Sequence, residues 1–236
     1  MIDFCLLIET HAYVTATSQC DMAVVKGISH QMRNPLTVLG GNSARLQRKV
    51  APGSPLHKTY EMILMENKRR ENMVKDAGVD SELFQVEPLL SEVSLEKVLS
   101  QALRKLEAMP EKKTEPLEMN LDPEVPCAQG DPAALEAMFY YLLQNSLEAL
   151  DPQDPLIRVS SGVLGTEPTF LQIEIFNTGR SPSPEELVNV FVPFYSTKPY
   201  GTGFGLPIAQ VVARKSLGDV VLEPVPGEGT RCIVRL

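Results

Sequence analysis

The amino-acid sequence predicts a helical hairpin followed by an α/β sandwich, and three observations lead to this fold class. Residues 20–84 hold few helix breakers apart from Pro35 and a Pro/Gly-rich cluster at 51–55, which is typical of two long helices joined by a turn. Residues 85–236 mix amphipathic helix patterns with alternating strand patterns. The 236 residues are 43% hydrophobic and 22% charged, close to the globular norm.

The composition shift predicts three segments. These are an N-terminal segment at 1–20, a helical domain at 21–84 and an α/β domain at 85–236. The helical domain has a narrow apolar stripe on its first helix, within about 80° of arc at 100° per residue. The stripe consists of Val25, Ile28, Met32, Leu36, Leu39, Leu46 and Val50.

The second helix, from about Leu56 to Asp76, has a weaker apolar pattern amid many charges. Two helices with such narrow stripes cannot enclose a sizeable core alone. We therefore expect two copies of the chain to associate, so that their hairpins form a four-helix bundle in a homodimer.

Capping signals and periodicity predict the elements of the α/β domain. Asp131-Pro132 predicts the start of a helix that runs to about Leu150, because Asp is favoured at the N-cap and Pro at the first helical position. Leu171, Ile173 and Ile175 alternate with polar residues, as in a half-buried strand. The other predicted elements are a turn and helix at 88–108, strands beginning at Ile157, Val220 and Cys232, a long loop at 178–205 and a helix from Leu206 to about Ala213.

Charge and composition exclude several classes of protein. The net charge is 22 minus 30, or −8, so we expect no nucleic-acid partner, since phosphate recognition needs clustered Lys and Arg. No stretch of about 18 apolar residues predicts a membrane span, and the N-terminus does not resemble a signal peptide. The four cysteines lack metal-type or disulfide-type spacing, which favours a reducing, cytoplasmic location.

A motif around His30 is the first that can carry chemistry. With Val25 at zero, the apolar stripe centres near about 325°, whereas His30 lies near about 140° and Asn34 near about 180°, so both point into solvent. Pro35 should bend the helix one turn past His30, and a proline inside a long helix costs about 3 kcal/mol. A surface histidine without a role is the alternative interpretation.

Two asparagines form the next candidate site. Asn145 lies at the border of the buried face of its helix, where it can face a pocket, although this position alone favours a surface asparagine. Asn177, Gly179 and Ser181 follow the best predicted strand, and by themselves they fit a strand-to-loop turn equally well.

A glycine-rich loop is the last motif. Gly201, Gly203 and Gly205 precede the apolar helix that starts at Leu206, so their backbone N–H groups can turn toward an anion at a helix N-terminus. Lys198 is close enough in sequence to meet a phosphate. The segment 227–230 is a further glycine motif, for which a simple hairpin is the alternative.

These motifs, in this order, resemble the core of sensor histidine kinases over residues 22–236. The resemblance is carried by the phosphoacceptor box at 30–36, the asparagine box at 138–149, the first glycine box at 175–181, the phenylalanine box and glycine loop at 191–206, and the last glycine motif at 227–230. It implies a dimerising hairpin followed by a Bergerat-type (GHKL) ATP-binding domain.

The resemblance also implies an activity. An ATP-dependent protein-histidine kinase phosphorylates His30 and passes the phosphoryl group to an aspartate of a response-regulator receiver domain, with Gln31 and Asn34 as further catalytic positions. Asn145 would hold Mg²⁺, and Asn177 would read adenine. The implied nucleotide-binding set is Asn145, Asn177, Gly179, Lys198, Gly201, Thr202, Gly203, Gly205, Leu206 and Thr230.

Four residues depart from the family pattern and keep other functions open. Gln31 replaces an acid, Tyr141 an asparagine, Asn177 an aspartate and Ser181 a glycine. These departures favour a weakly active or non-catalytic dimeric scaffold, and a phosphatase or phosphotransfer adaptor that uses only the hairpin is a second alternative. Tyr141 disfavours an ATPase of the chaperone type, which needs a carboxylate there. About 20 residues precede the core, so we expect the input from an upstream sensor protein or domain.

Overall fold

The computed structural model describes residues 32–85, 91–108, 117–164, 170–198 and 201–236. His30 and Gln31 therefore lie outside the described residues. The chain divides into two compact units. The larger comprises the described parts of Glu87–Val192 and Gly205–Leu236, and the smaller comprises the described parts of Val14–Val86 and Pro193–Phe204.

The smaller unit contains the helical hairpin. Helix α1 covers residues 32–47, and helix α2 covers Pro55–Gln85. Gly53 adopts a φ of 78° in the turn between them. The predicted end of the second helix near residue 76 is wrong, because α2 continues nine residues further. Gly78 does not stop it, since an interior glycine costs only about 1 kcal/mol.

The two helices lie close together at Gly40. A Cβ there would lie 2.5 Å from Nδ2 of Asn67, which is buried and donates a hydrogen bond to Oε1 of Glu71 over 3.0 Å. Leu36 is also buried, at 5% exposure. The hairpin is therefore antiparallel, with Gly40 opposite Asn67.

A mixed five-stranded sheet is the centre of the larger unit. Its order is β2-β4-β5-β7-β6, with β2 parallel to β4 and every other neighbouring pair antiparallel. A separate two-stranded sheet pairs β1 with β3. The strands are β1 (Ser91–Ser94), β2 (Leu117–Asn120), β3 (Cys127–Gly130), β4 (Ile157–Leu164), β5 (Phe170–Thr178), β6 (Asp219–Val225) and β7 (Gly229–Arg235).

Helices cover this sheet and enclose the core with it. Helix α4 contacts α3, α6 and β5, and α6 also contacts β6. Phe139 and Leu143 of α4 and Ile175 of β5 are fully buried. The helices are α3 (Leu95–Glu107), α4 (Pro132–Ala149), the one-turn α5 (Pro184–Leu187) and α6 (Gly205–Lys215).

The predicted fold class, a helical hairpin followed by an α/β sandwich, is confirmed. Asp131 caps α4 as predicted, its side chain accepting a hydrogen bond from the Ala134 N–H over 2.9 Å. The interpretation of 88–108 as a turn and a helix is incomplete, because Ser91–Ser94 forms strand β1. Within the described ranges, no helix is long and apolar enough to cross a membrane.

Candidate functional site

Helix α4 carries the first candidate residues, Tyr141 and Asn145, one turn apart. Both side chains are half-buried, and they flank the buried face formed by Leu142 and Ser146. Residues four positions apart share a helix face, so Tyr141 and Asn145 point to the same side of α4. The predicted border position of Asn145 therefore agrees with its partial burial.

The end of strand β5 carries the second asparagine. Asn177 lies between Ile157 of β4 and Thr230 of β7 in the sheet register, and only 3% of it is exposed. Its Nδ2 donates a hydrogen bond to the carbonyl oxygen of Thr178 over 3.0 Å. Because the nitrogen is used in this bond, Oδ1 is the atom that can accept a hydrogen bond from a ligand.

Gly179 joins the end of β5 to the end of α4. Its φ is 117°, and a Cβ at this position would lie 2.0 Å from the carbonyl oxygen of Ala149 and 2.7 Å from the Asp151 nitrogen. Only glycine fits such a close approach of two backbones. The elements that bear Asn145 and Asn177 are therefore fixed to each other at Gly179.

The segment after Gly179 is tied to strand β7. The Ser181 hydroxyl donates a hydrogen bond to the carbonyl oxygen of Gly229, and the Thr230 hydroxyl lies 3.5 Å from the carbonyl oxygen of Arg180. Ser181 is the residue that replaces the last glycine of the family's box. Thr230, a predicted nucleotide contact, is buried in a hairpin formed by β6 and β7.

A capping box at the start of α5 completes this segment. The Glu186 N–H donates to the Ser183 side chain over 3.2 Å, and Glu186 Oε2 accepts from the Ser183 N–H over 2.8 Å. The Arg180 guanidinium also pairs with Glu186. The Ser183 N–H and Arg180 lower the pKa of Glu186 below its usual range. This feature was not predicted, although Ser183-Pro-Glu-Glu186 carries the Ser-x-x-Glu capping signature.

Gly201, Thr202 and Gly203 of the glycine loop lie in the smaller unit. The Phe194 N–H donates to the Gly203 carbonyl oxygen over 3.1 Å, and the Gly201 N–H donates to the Lys198 carbonyl oxygen over 3.1 Å. Gly203 has a φ of 73°, and a Cβ there would lie 2.5 Å from the Phe194 carbonyl carbon. Thr202 is half-buried between these glycines.

The loop leads directly into helix α6, whose first residues are Gly205 and Leu206. A Cβ at Gly205 would lie 3.3 Å from Cδ1 of Tyr141, tighter than ordinary van der Waals contact. The first turn of α6 contains no acidic residue, so its free N–H groups are not repelled from an anion by a neighbouring carboxylate. The contact of Tyr141 with this helix start was not predicted.

The larger unit thus brings together Asn145, Asn177, Gly179 and Thr230, and Gly205 and Leu206 join them through Tyr141. In the part of the chain that the structure describes, no three His, Cys, Asp or Glu side chains cluster to hold a metal ion. A magnesium ion at Asn145 would therefore need phosphate oxygens as further ligands, which fits the oxygen preference of Mg²⁺. In the smaller unit, Asn34 is exposed on α1, as predicted.

Comparison with known proteins gives these features a context. Residues 130–236 match the family described as histidine kinase-, DNA gyrase B- and HSP90-like ATPase. The chain is 25% identical over 207 residues to the sensor histidine kinase ZraS of Salmonella typhimurium, covering 86% of this chain and 43% of ZraS. It is 24% identical over 204 residues to sporulation kinase E of Bacillus subtilis, covering 86% of this chain and 27% of that protein. The chain thus spans less than half the length of either relative.

Solved structures share the fold. Full-length ShkA, crystallised in complex with AMPPNP, has a TM-score of 0.64 and 17% identity, covering 90% of this chain and 45% of ShkA. The larger unit is therefore an α/β sandwich of the Bergerat type. Together, the family match, the relatives and the shared architecture support a histidine kinase core with a GHKL-type ATPase domain that includes residues 130–236.

Proposed function

We propose that the chain is an ATP-dependent protein-histidine kinase of a two-component system. It phosphorylates itself at His30 and passes the phosphoryl group to an aspartate of a response-regulator receiver domain. The observation that carries the proposal is the pair Asn145 and Asn177, held on α4 and β5 by the backbone contact at Gly179. This pair lies inside the region matched to the ATPase family.

In this proposal, the larger unit recognises the nucleotide base. Oδ1 of Asn177 accepts a hydrogen bond from the adenine amino group, without the charge assistance that an aspartate would give. Thr230 lies beside Asn177 in the register and helps to shape the base pocket. Gly179 keeps this side of the site at a fixed distance from α4.

The glycine loop and the start of α6 recognise the phosphates. Backbone N–H groups from 201–206 donate to the phosphate oxygens, and Lys198 neutralises part of their charge. Asn145 would hold Mg²⁺ through its side-chain oxygen, and the ion, when bound, supplies charge neutralisation on the phosphates. Phosphoryl transfer needs mainly positioning and charge neutralisation, which these residues provide.

His30 is the nucleophile in the proposed reaction. One nitrogen of the neutral imidazole forms a bond to the γ-phosphorus, the bond to the bridging oxygen breaks, and ADP leaves with that electron pair. The side-chain oxygen of Gln31 accepts a hydrogen bond from the other ring nitrogen and holds the tautomer. Asn34, exposed one turn later, orients water when the regulator is dephosphorylated.

A homodimer formed through the hairpin, within the proposed domain 21–84, supports this chemistry. Met32, Leu39 and Leu46 are seven residues apart on α1 and are 42%, 58% and 44% exposed in the single chain. Leu56 and Ile63 repeat the spacing on α2, at 52% and 44% exposure. Seven-residue spacing places each set on one face, as in helices that pack against a second copy.

A weakly active or non-catalytic scaffold is the second candidate. It is favoured by Tyr141, which packs against Gly205 at the start of α6 where the family has a smaller amide. Asn177 and Ser181 add to it, because each replaces a family residue. The proposed domain 85–236 would then retain its fold while binding ATP weakly.

Incubation with labelled ATP and Mg²⁺, followed by acid and base treatment, tests the kinase proposal. We expect a label that acid removes and base preserves, and His30→Ala should abolish it. His57→Gln, on the described hairpin, is the matched control and should keep the label. A label of equal intensity in His30→Ala would contradict the assignment of the phosphoacceptor.

Gln31→Glu separates a slow kinase from a scaffold. A charged acceptor beside His30 would stabilise the positive charge that develops on the ring, so the initial autophosphorylation rate should rise about tenfold, with little change in ATP affinity. A wild-type rate in this variant would mean that Gln31 does not limit the reaction.

A further inference from the structure

Asn177 stands where the family pattern has an aspartate, and the two side chains offer a ligand different groups. An ionised carboxylate has hydrogen-bond acceptors only, whereas an amide has an acceptor oxygen and two N–H donors on its nitrogen. Exchanging one for the other therefore changes which groups of a ligand can be met, as well as how strongly they are held.

The side chain of Asn177 lies on the buried face of the sheet. It continues the alternation of Ile173 and Ile175 along β5, and only 3% of the residue is exposed. Its neighbours in the register, Ile157 and Thr230, are uncharged and buried as well. In so enclosed a position, an unmet donor or acceptor of a ligand costs affinity, because water cannot replace the missing partner.

One hydrogen bond fixes the direction in which the amide faces. Nδ2 donates to the carbonyl oxygen of Thr178 over 3.0 Å, and no other hydrogen bond to the Asn177 side chain occurs among the described residues. The nitrogen must face that carbonyl, since the reverse orientation would set two oxygens against each other. Oδ1 is not among the fully enclosed, unpaired side-chain atoms of the described chain. The amide therefore keeps one acceptor, Oδ1, and one donor, the second N–H, for a ligand.

The carbonyl that holds the amide is itself held in place. The Thr178 N–H donates to the Leu156 carbonyl oxygen over 3.0 Å, and the Leu156 N–H donates to the Thr178 hydroxyl over 3.0 Å. That hydroxyl donates to the Asp154 carbonyl oxygen over 2.6 Å. Gly179, the next residue, lies against the Ala149 carbonyl oxygen. The free donor and the free acceptor of the amide are therefore presented from a fixed support.

Purines differ in what they present at position 6. A 6-aminopurine such as adenine has an N–H donor there, whereas a 6-oxopurine such as hypoxanthine has an acceptor oxygen. The Asn177 amide can meet the first through Oδ1 and the second through its second N–H. A carboxylate could meet only the amino group, because its charged oxygens would face the oxo oxygen.

We infer that Asn177 widens the nucleotide specificity of the site, so that it accepts 6-oxopurine nucleoside triphosphates, such as inosine triphosphate, in addition to ATP. The inference rests on the proposed function, since it names further substrates of the same site. Asn177 is then a specificity-determining residue, and the Thr178 carbonyl positions its amide. The γ-phosphoryl group is the same in both nucleotides, so the choice is made at the base alone.

Three nucleoside triphosphates that differ around position 6 test the inference, with binding measured by calorimetry in the presence of Mg²⁺. They are ATP, inosine triphosphate and purine riboside triphosphate, which carries only hydrogen at position 6. Asn177→Asp is the variant, because it removes both N–H donors and keeps the size of the side chain. Asn189→Asp is the matched control, since it makes the same chemical change at an exposed hydrogen bond away from β5.

The wild-type chain should bind ATP no more than about tenfold more tightly than inosine triphosphate, since the amide makes a hydrogen bond with either base. Inosine triphosphate should bind at least as tightly as purine riboside triphosphate, which has no polar group at position 6. In Asn177→Asp, we expect the preference for ATP over inosine triphosphate to reach about a hundredfold or more, with inosine triphosphate the weakest of the three ligands. The control should keep the wild-type order.

Two results would overturn the inference and leave the proposed function intact. One is a wild-type chain that binds ATP but binds inosine triphosphate more weakly than purine riboside triphosphate, because no N–H would then meet the oxo group. The other is an equal preference for ATP in Asn177→Asp and wild type. If Asn177→Asp does not fold, the three ligands decide on the wild-type chain alone. A wild-type chain that binds no ATP would contradict the proposed function, and the inference with it.

Discussion

In the larger unit, Phe139, Ile157 and Ile175 are fully buried, whereas in the hairpin Leu39 and Ile63 remain 58% and 44% exposed. The polar groups differ in the same direction. Arg231 of the larger unit bridges Glu174 and Glu223 across three strands, while the cations at the hairpin turn have no such partners among the described residues. The larger unit buries most of its apolar side chains within itself, whereas the described part of the hairpin leaves apolar side chains exposed.

The largest effect is expected from a substitution inside the well-packed larger unit. Gly179→Ala forces a side chain into a φ of 117° and against the Ala149 carbonyl oxygen at 2.0 Å. We expect the free energy of unfolding of the larger unit to fall by about 3 kcal/mol or more. Gly162→Ala is the control, since nothing lies within 4 Å of its Cβ position. Chemical denaturation should separate the two variants, and similar unfolding free energies would contradict a close backbone contact at Gly179.

A charge on the exposed, heptad-spaced face of the hairpin should weaken the proposed dimer. Leu39→Asp places a carboxylate on the exposed heptad-spaced face, so we expect the dimer dissociation constant to rise about hundredfold, or about 2.7 kcal/mol. Val38→Asp tests position, because Val38 is 61% exposed but lies about 100° away around the helix. Light scattering across a concentration series measures both, and equal weakening would argue against that face.

The next largest effect is expected from changing a buried polar side chain of the larger unit. Asn177→Asp removes the Nδ2 donor to the Thr178 carbonyl and sets a carboxylate against that oxygen in a site 3% exposed. The free energy of unfolding should fall by about 1–2 kcal/mol at neutral pH. Asn189→Asp should cost less, since its bond to the Glu185 carbonyl is exposed. Thermal unfolding that ranks the two variants the other way would refute this account of Asn177.

The hairpin of the smaller unit should also tolerate an added methyl group on α1. Gly41 lies within α1 with nothing within 4 Å of its Cβ position. Gly41→Ala should therefore stabilise the hairpin by about 0.5–1 kcal/mol, because glycine loses more backbone entropy in a helix than alanine. Helical content during thermal melting reports this change. A lower melting temperature would show that this part of α1 is covered in the assembled protein.

The smallest effect concerns pH. The Ser183 N–H and Arg180 lower the pKa of Glu186 in the folded protein. The carboxylate therefore adds stability above its unfolded pKa, and that contribution disappears as pH falls through the lower folded value. Glu186→Gln should differ slightly from wild type at pH 7 and converge with it well below about pH 4. A difference that persists in acid would exclude Glu186 as its source.

Local signals predicted much of the fold. The Asp131 cap and the alternation along β5 depend on residues near in sequence, so α4 and β5 were predicted within about two residues. Strands β1 and β3 have four residues each, too few to show a period. They exist because their backbones pair with each other, which the local sequence does not encode.

The candidate site likewise combines residues that local motifs predict with long-range contacts that they do not. Asn145 and Asn177 were predicted from motifs, but the contact of Gly179 with Ala149 joins residues 30 positions apart. The packing of Tyr141 against Gly205 joins residues still further apart. The capping box at Ser183 has a signature in four consecutive residues, so it could have been predicted from the local sequence.

The close approach at Gly40 limits how the hairpin can relay a signal. A Cβ on α1 at the level of Gly40 would lie 2.5 Å from Nδ2 of Asn67, so that side chain would have to shift. Sliding α1 by one turn, about 5.4 Å, would bring Leu36 or Ala44 to that level and force Asn67 out of its buried position. A piston movement of one helix past the other would therefore displace the Asn67 side chain.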